Sequence, residues 1–344
     1  MNFGIIGFGK MGKIRYDSIR ESGQHSVLKI YEPDHNYIPS GVKQVNAYQE
    51  ILADPEIEAV FICVPNYLNA KYVIECLNYG KHVFCEKPPG IHAQEVMQIR
   101  EAEDKNPGLK VMFGFNHRHH ESMIHAKKLI DSEEYGKILW LRGRYGKSVD
   151  EKFFSNWRSN KALAGGGILL DQGIHMLDLF LMFCGDFQEV QAYVSNLYWK
   201  LNIEDNVFAI LRNEQGQVAS LHSTMTQWRH LFSLEIFLER GYITINGLKT
   251  SSDSYGDEAM TIARNRTEPP AAVWTQEEEI IFHTDHSWRR ELEAFVDAIE
   301  KGFDVPTGNT RDALKLMKLI DQIYHKDKRQ KKLETLLDDT WLKS

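Results

Sequence analysis

The sequence predicts an α/β protein in two parts, a doubly wound parallel sheet followed by a region built on one large, mainly antiparallel sheet. Three observations carry this. Up to His117, short apolar runs alternate with helical segments, and the runs are apolar almost throughout, so helices must cover both sheet faces. Beyond that point, strands of alternating polarity separated by turn residues dominate. Finally, 344 residues exceed the usual size of one domain and allow two substantial cores.

Taken in order, "FGIIGFG" reads as a buried strand and Lys10 to Glu21 as the helix after it. "VLKIYEP" is the next strand. "YQEILADP" is helical, "IEAVFICVP" is a strand, and a helix follows through Gly80. The strand "HVFCEKP", a helix from Ala93 to Asn106 and the strand "KVMFGFN" complete the first part. A helix is then expected over 120–132, a strand pair around 137–146, a loop-rich segment to Gly167, and a helix opened by Gly165 to Gly167. "EVQAYVSNLYW", "DNVFAILRN", "GQVASLHSTM" and "FSLEIFLERGYITING" read as strands of one sheet. The segment 249–275 reads as an irregular excursion. Two helices, about 286–301 and 309–325, precede "HKDKRQKK", read as a solvated helix end.

Composition narrows the function classes. The 48 acidic against 41 basic residues give a net charge of -7, with no long basic stripe to attract nucleic acid or an anionic membrane. The N-terminus lacks the pattern of a secretory signal, and no run of 18 apolar residues occurs. The four cysteines include no CxxC pair, so reduced thiols in a cytoplasmic protein are expected. "HRHHE" crowds His117, His119, His120 and Glu121, yet adjacent histidines diverge and the HExxH arrangement is missing, so no metal site is expected.

The chemistry starts at "GIIGFGKMGKI". Gly7, Gly9 and Gly12 form GxGxxG between a strand and a helix, the context a dinucleotide site requires. Gly7 allows the tight turn, Gly9 admits a pyrophosphate to the amides at the helix start, and Gly12 lets helix and sheet pack closely. Phe8, Lys10 and Met11 complete the loop. Glu32, 23 residues beyond Gly9, ends the second strand, where a carboxylate accepts both adenosine ribose hydroxyls and repels a 2′-phosphate. NAD is therefore expected over NADP.

Lys87 stands between Glu86 and Pro88, just beyond a strand whose end lines the ligand crevice of such a sheet. Its ammonium can stabilise charge developing on a substrate oxygen. In "AGGGILLDQGIHMLDLF", Asp171 and His175 are four apart and would share a helix face. Oxidation of a carbinol requires its hydroxyl proton to leave, and histidine can take and return it near neutral pH. His175 is the expected base, with Asp171 its orienter or a substrate ligand. Asp178 is expected to satisfy buried donors. Gly165, Gly166 and Gly167 are expected to bring this helix start against cofactor or substrate.

These motifs together, GxGxxG, "CEKP" and "GGGILLDQGIHMLD", resemble the glucose-fructose oxidoreductase, inositol dehydrogenase and rhizopine-catabolism (Gfo/Idh/MocA) family of NAD(P)-dependent sugar and polyol oxidoreductases. The resemblance spans nearly the whole chain. It implies a Rossmann domain over 1–119 and a substrate-binding and oligomerisation domain over 120–344, with a large open sheet and terminal helices free to pack back on the first domain. The open sheet is expected to form a homodimer or homotetramer. The resemblance implies Lys87, Asp171 and His175 as catalytic residues and adds Pro65, Asn66, Glu86 and Lys87 to the cofactor contacts. Asn116, Arg118, Trp157 and Arg158 would reach the substrate, a sugar, polyol, sugar acid or sugar nucleotide oxidised at a ring hydroxyl. Arg142, Arg144 and Lys147, with Arg158, would favour an anionic one. One departure is Asn69 in "VPNYLNAKY", where the family usually has His. Two other accounts use the same fold: a tightly held cofactor recycled within the enzyme, and a non-catalytic NAD-dependent sensor.

Overall fold

The computed structural model describes residues 1–34, 37–250, 252–264 and 273–341, with side chains of the last helix described through Asp327. Its strands are β1 (Asn2–Ile6), β2 (Ser26–Tyr31), β3 (Lys43–Val45), β4 (Ala59–Ile62), β5 (His82–Glu86), β6 (Val111–Gly114), β7 (Ile138–Ser148), β8 (Glu189–Ser195), β9 (Asn206–Arg212), β10 (Val218–Thr224), β11 (Thr226–Leu238), β12 (Gly241–Asn246), β13 (Glu258–Arg264) and β14 (Glu278–Phe282). Its α-helices are α1 (Lys10–Ser22), α2 (Gln49–Leu52), α3 (Asn69–Asn78), α4 (Ala93–Asp104), α5 (Glu121–Asp131), α6 (Lys161–Ala164), α7 (Ile174–Cys184), α8 (Ser287–Glu300) and α9 (Thr310–Trp341). The chain forms two compact units. One contains Met1–His120, Ala162–Gly165 and His286–Met317; the other contains Glu121–Lys161, Gly166–Asp285 and the residues from Lys318 onward.

In the first unit the strands lie in the order β3-β2-β1-β4-β5-β6, and every pairing is parallel. Chain order reverses between β1 and β4, which opens a crevice at their carboxyl ends. The sheet is apolar because both faces are covered: Phe3, Ile5, Phe61 and Phe84 have no exposure. Phe295 of α8 packs edge-on against Phe61 and Phe84, with ring centroids 6.0 and 5.7 Å away. That helix thus seals the core from the far end of the sequence. β3, only three residues long, has no counterpart in the strands read from periodicity.

Beyond β6, the turn Asn116–His119 is buried against basic neighbours. Burial, reinforced by Arg118, Arg15 and Arg290, lowers the His119 pKa from 6.5 to about 4. The folded protein therefore holds His119 neutral where the unfolded chain would protonate it. Stability is present above pH 6.5 and is lost as pH falls toward 4. A His119→Asn variant should lose about 2 to 3 kcal/mol less than the parent between pH 7 and pH 4.5. Urea midpoints at the two pH values check this; equal losses in both proteins would contradict it.

The second unit is built on the sheet β14-β13-β12-β11-β7-β10-β9-β8. All its pairings are antiparallel except β7 with β10. α7 lies on one face. Gly143 of β7 leaves space there: a Cβ would strike the Met176 side chain and come within 2.8 Å of Phe180. The expected strand pair near 137–146 is instead the single long strand β7, since both its edges are already taken by β10 and β11. The expected excursion at 249–275 contains β13, whose buried Met260 and Ile262 complete the inner face; residues 251 and 265–272 of that stretch lie outside the described residues. The last helix runs past 325 to Trp341, while the side chains of "HKDKRQKK" beyond Asp327 lie outside the description. By length and apolarity, Lys161–Cys184 could cross a bilayer, but 67% of its most apolar window is buried inside the protein, as in a core helix.

Candidate active site

In the first unit the three glycines have distinct surroundings. Gly7 has φ +89, and a Cβ there would meet the Cys63 backbone. At Gly12 a Cβ would collide with the carbonyl of Gly7, so this glycine sets how closely α1 approaches the loop. Gly9 differs. It caps α1 with φ -69, accessible to any residue, and no protein atom lies within 4 Å of a Cβ built there. Packing within the chain therefore does not account for Gly9, whereas a diphosphate seated on the α1 amides does. The loop fits a dinucleotide.

This contrast yields a prediction. Gly9→Val should keep the parent melting temperature yet weaken NAD at least about tenfold, or about 1.4 kcal/mol. Gly12→Val should instead destabilise the fold. Thermal melts and fluorescence titrations separate the two, and unchanged NAD affinity in Gly9→Val would remove the dinucleotide from this loop.

Exposed Lys10 and half-buried Met11 open α1. Glu32 accepts hydrogen bonds from the Phe8 amide at 2.6 Å and the Asp34 amide at 3.1 Å, so it ties the glycine loop to the end of β2. Half-buried Pro65 follows β4. Asn66 after it donates to the Ala164 carbonyl at 2.8 Å. Half-buried Lys87 follows β5, and its peptide bond to buried Pro88 is cis.

Other expected contacts are committed to the framework of this unit. The Glu86 carboxylate pairs with Arg15 at 2.6 Å, and Arg15 reaches Glu291 of α8 at 2.8 Å. The Arg15 guanidinium lies between the rings of Phe84 and Trp288, 4.3 and 4.7 Å from their centroids. Burial opposes its charge, but Glu86 and Glu291 outweigh that and raise its pKa. Asn116 donates to Ser287 at 3.3 Å. Arg118 binds Thr307 and Asp312, each at 2.7 Å.

In the second unit, Asp171 and His175 do not share a regular helix. Leu169–Gly173 is a π-helical turn, so Asp171 sits on a wider turn and His175 on the first turn of α7. Such turns often mark functional sites. Asp171 pairs with Lys147 of β7 at 2.8 Å and with Arg158 at 3.5 Å. Arg158 also stacks over Trp157, 4.4 Å from its centroid. His175 is 4% exposed, with the Tyr145 ring 6.2 Å away. Burial, then the neighbouring Tyr255, raises the Tyr145 pKa, which keeps its hydroxyl protonated. Asp178 is fully buried.

The glycine run is packed closely against the protein's own atoms. Gly165, φ +82, lies against the Ile91 side chain of its own unit. In the second unit, a Cβ on Gly166 would strike the Tyr324 hydroxyl and one on Gly167 the Glu204 carbonyl. The close approach is made by the protein itself. Glu204 accepts from the Gly167 and Leu169 amides at 2.8 and 3.0 Å and from the Tyr324 hydroxyl at 2.7 Å, so it caps the helix start. Burial raises its pKa against these hydrogen bonds.

The four basic residues also separate. Arg142 makes a two-pronged bond to Glu235 and Arg144 reaches Ser233, their cross-strand neighbours on β11, while Lys147 and Arg158 meet at Asp171. Among the described residues, no cluster of three or more His, Cys, Asp or Glu is placed to hold a metal. Sequence reasoning missed Arg15, Tyr145 and Glu204. Arg15 left one sequence signal, a charge on the sheet-facing side of an otherwise amphipathic helix.

The strand order and glycine loop define a dinucleotide-binding fold. Models of known families agree: an oxidoreductase family with an NAD-binding Rossmann fold matches residues 1–115, and the GFO/IDH/MocA C-terminal domain matches residues 123–244. The chain belongs to the Gfo/Idh/MocA family of NAD(P)-dependent oxidoreductases. Levoglucosan dehydrogenase of Pseudarthrobacter phenanthrenivorans is 29% identical over 229 residues, a match spanning 58% of this chain and 58% of that enzyme. An uncharacterized oxidoreductase of Rhizobium meliloti is 30% identical over 267 residues, 77% of this chain and 76% of the relative. D-xylose 1-dehydrogenase (NADP(+)) 2 of Haloferax volcanii is 24% identical, covering 94% of this chain and 96% of its own. The solved structure of levoglucosan dehydrogenase with NADH and levoglucosan has the same fold, with a TM-score of 0.83 at 23% identity over 96% of this chain and 97% of that one.

Proposed function

We propose that the protein oxidises a ring hydroxyl of a neutral sugar or polyol to a ketone, reversibly, using NAD. The observation that carries this is the set of candidate groups: a lysine at the carboxyl end of β5, and a histidine one turn from a carboxylate that two cations fix in place. When bound, NAD supplies the acceptor for the hydride on the carbinol carbon. His175 takes the hydroxyl proton and returns it in the reverse direction. Lys87 donates a hydrogen bond to the same oxygen and stabilises its growing negative charge. Asp171, held by Lys147 and Arg158, serves as a fixed acceptor for a substrate hydroxyl.

Several features support the finer reading. Glu32 at the end of β2 would repel a 2′-phosphate, which favours NAD over NADP. A neutral substrate is favoured because Arg142 is paired with Glu235 and because Lys147 and Arg158 are both engaged by Asp171, which offsets one of their two charges. The related enzymes act on uncharged compounds by name, among them levoglucosan, D-xylose and myo-inositol. We place the protein in the cytoplasm, where its four free thiols stay reduced. It associates as a homodimer or homotetramer through the outer face of the large sheet, where Tyr193, Phe208 and Ile210 are exposed. Sedimentation as a monomer at micromolar concentration would contradict that association.

The test is a screen of levoglucosan, D-xylose, myo-inositol, gluconate and UDP-glucose with NAD or NADP, followed by cofactor absorbance. Turnover of a neutral compound with NAD is expected. Preference for gluconate or UDP-glucose, or for NADP, would overturn the corresponding part.

A further inference from the structure

We propose that Asn69 is a positioning residue for Lys87, holding the backbone on both sides of it through one side-chain amide. This rests on the reading of Lys87 as a catalytic group. Asn69, the first residue of α3, has no exposure. Its Nδ2 donates to the Glu86 carbonyl at 3.3 Å and to the Pro88 carbonyl at 2.7 Å, so the two bonds straddle Lys87. Both partners are carbonyls. Only the NH2 edge can face them, which fixes the amide orientation.

The rest of the environment agrees. Asn69 Oδ1 is buried and has no hydrogen-bond partner among the described residues. Leaving an acceptor unsatisfied in the core is unfavourable, and the position tolerates it for two donor bonds to one turn. Glu86 is held a second time through its side chain, by Arg15 at 2.6 Å. The residue before Lys87 is thus fixed by two separate elements, α1 and α3, and the residue after it by α3 alone. Lys87 itself is only half-buried. Fixing the backbone on both sides of Lys87 sets the Cα–Cβ direction from which its ammonium is presented.

A brace serving stability alone would lower the melting temperature and leave the lysine's chemistry as it was. The full chain is therefore compared with Asn69→Leu, which keeps the size but has no donor, and with Asn69→His, which has one. The readouts are melting temperature, NAD affinity, turnover on the best compound of the screen, and acetic anhydride labelling of the Lys87 amine read by mass spectrometry. Asn69→Leu is expected to bind NAD within about twofold of the parent, with turnover lowered at least about tenfold and Lys87 labelling changed at least about threefold. Asn69→His should recover much of both. A folded Asn69→Leu with turnover and labelling within twofold of the parent would overturn the proposal. If that variant does not fold, Asn69→Ala, which also has no donor, carries the same readouts and the same overturning result. Lys87→Met in parallel separates the two claims. Loss in Lys87→Met without loss in the Asn69 variants removes only the positioning role, whereas full turnover in Lys87→Met removes the catalytic reading and the positioning role with it.

Discussion

Replacement of His175 by Asn is expected to lower turnover about a thousandfold, because a positioned general base contributes roughly 10² to 10⁴. Asn keeps a polar side chain on α7 but cannot accept and release a proton near neutral pH. NAD affinity should stay within about twofold, since the glycine loop lies in the other unit. The pH profile is the more selective readout. In the proposed mechanism a neutral imidazole is the base for oxidation, so the parent's oxidation rate should rise with pH, and that rise should vanish in His175→Asn. Turnover within tenfold of the parent, with the same pH rise, would assign the base elsewhere.

Lys87→Met should lower turnover by about 10² to 10³, the scale of losing one donor to a developing oxyanion. Met preserves much of the length and apolar stem, so a fold defect is a poor explanation for that loss. Lys87→Arg should recover little, because a planar fork cannot replace a compact ammonium aimed at one oxygen. The losses in Lys87→Met and His175→Asn should also be less than additive in the double variant if both act on one oxygen as proposed. Strictly additive losses would mean that the two groups serve separate steps.

What the sequence disclosed follows physical range. The glycine loop is legible because all its determinants lie within one strand, turn and helix, from Asn2 to Ser22. The parallel sheet is legible because burial on both faces writes uninterrupted apolar runs such as Val60 to Ile62. The protein neighbours of the glycine run, Ile91, Glu204 and Tyr324, were not legible because they are distant in the chain. The Arg15 partner of Glu86 was hidden for the same reason, lying 71 residues away. Asn116 and Arg118 likewise find Ser287, Thr307 and Asp312 only after the chain returns to the first unit. β13 lay hidden in a polar segment, since its alternation of Met260 and Ile262 about Thr261 is too short to outweigh its surroundings.

The pairing of Lys147 and Arg158 with Asp171 changes the substrate expectation most. As sequence, four basic residues read as an anion site. In the fold, two lie on the opposite face of β7 with cross-strand partners, and two surround a carboxylate. Asp171 offsets one of the two positive charges around it and engages both cations, which weakens the case for an anion site.

The most direct test is a crystal structure of the enzyme with NADH and the best neutral substrate from the screen. The account predicts the Lys87 Nζ and a His175 ring nitrogen both within about 3.2 Å of the same substrate oxygen. An oxygen that contacts only one of them, or neither, would contradict it.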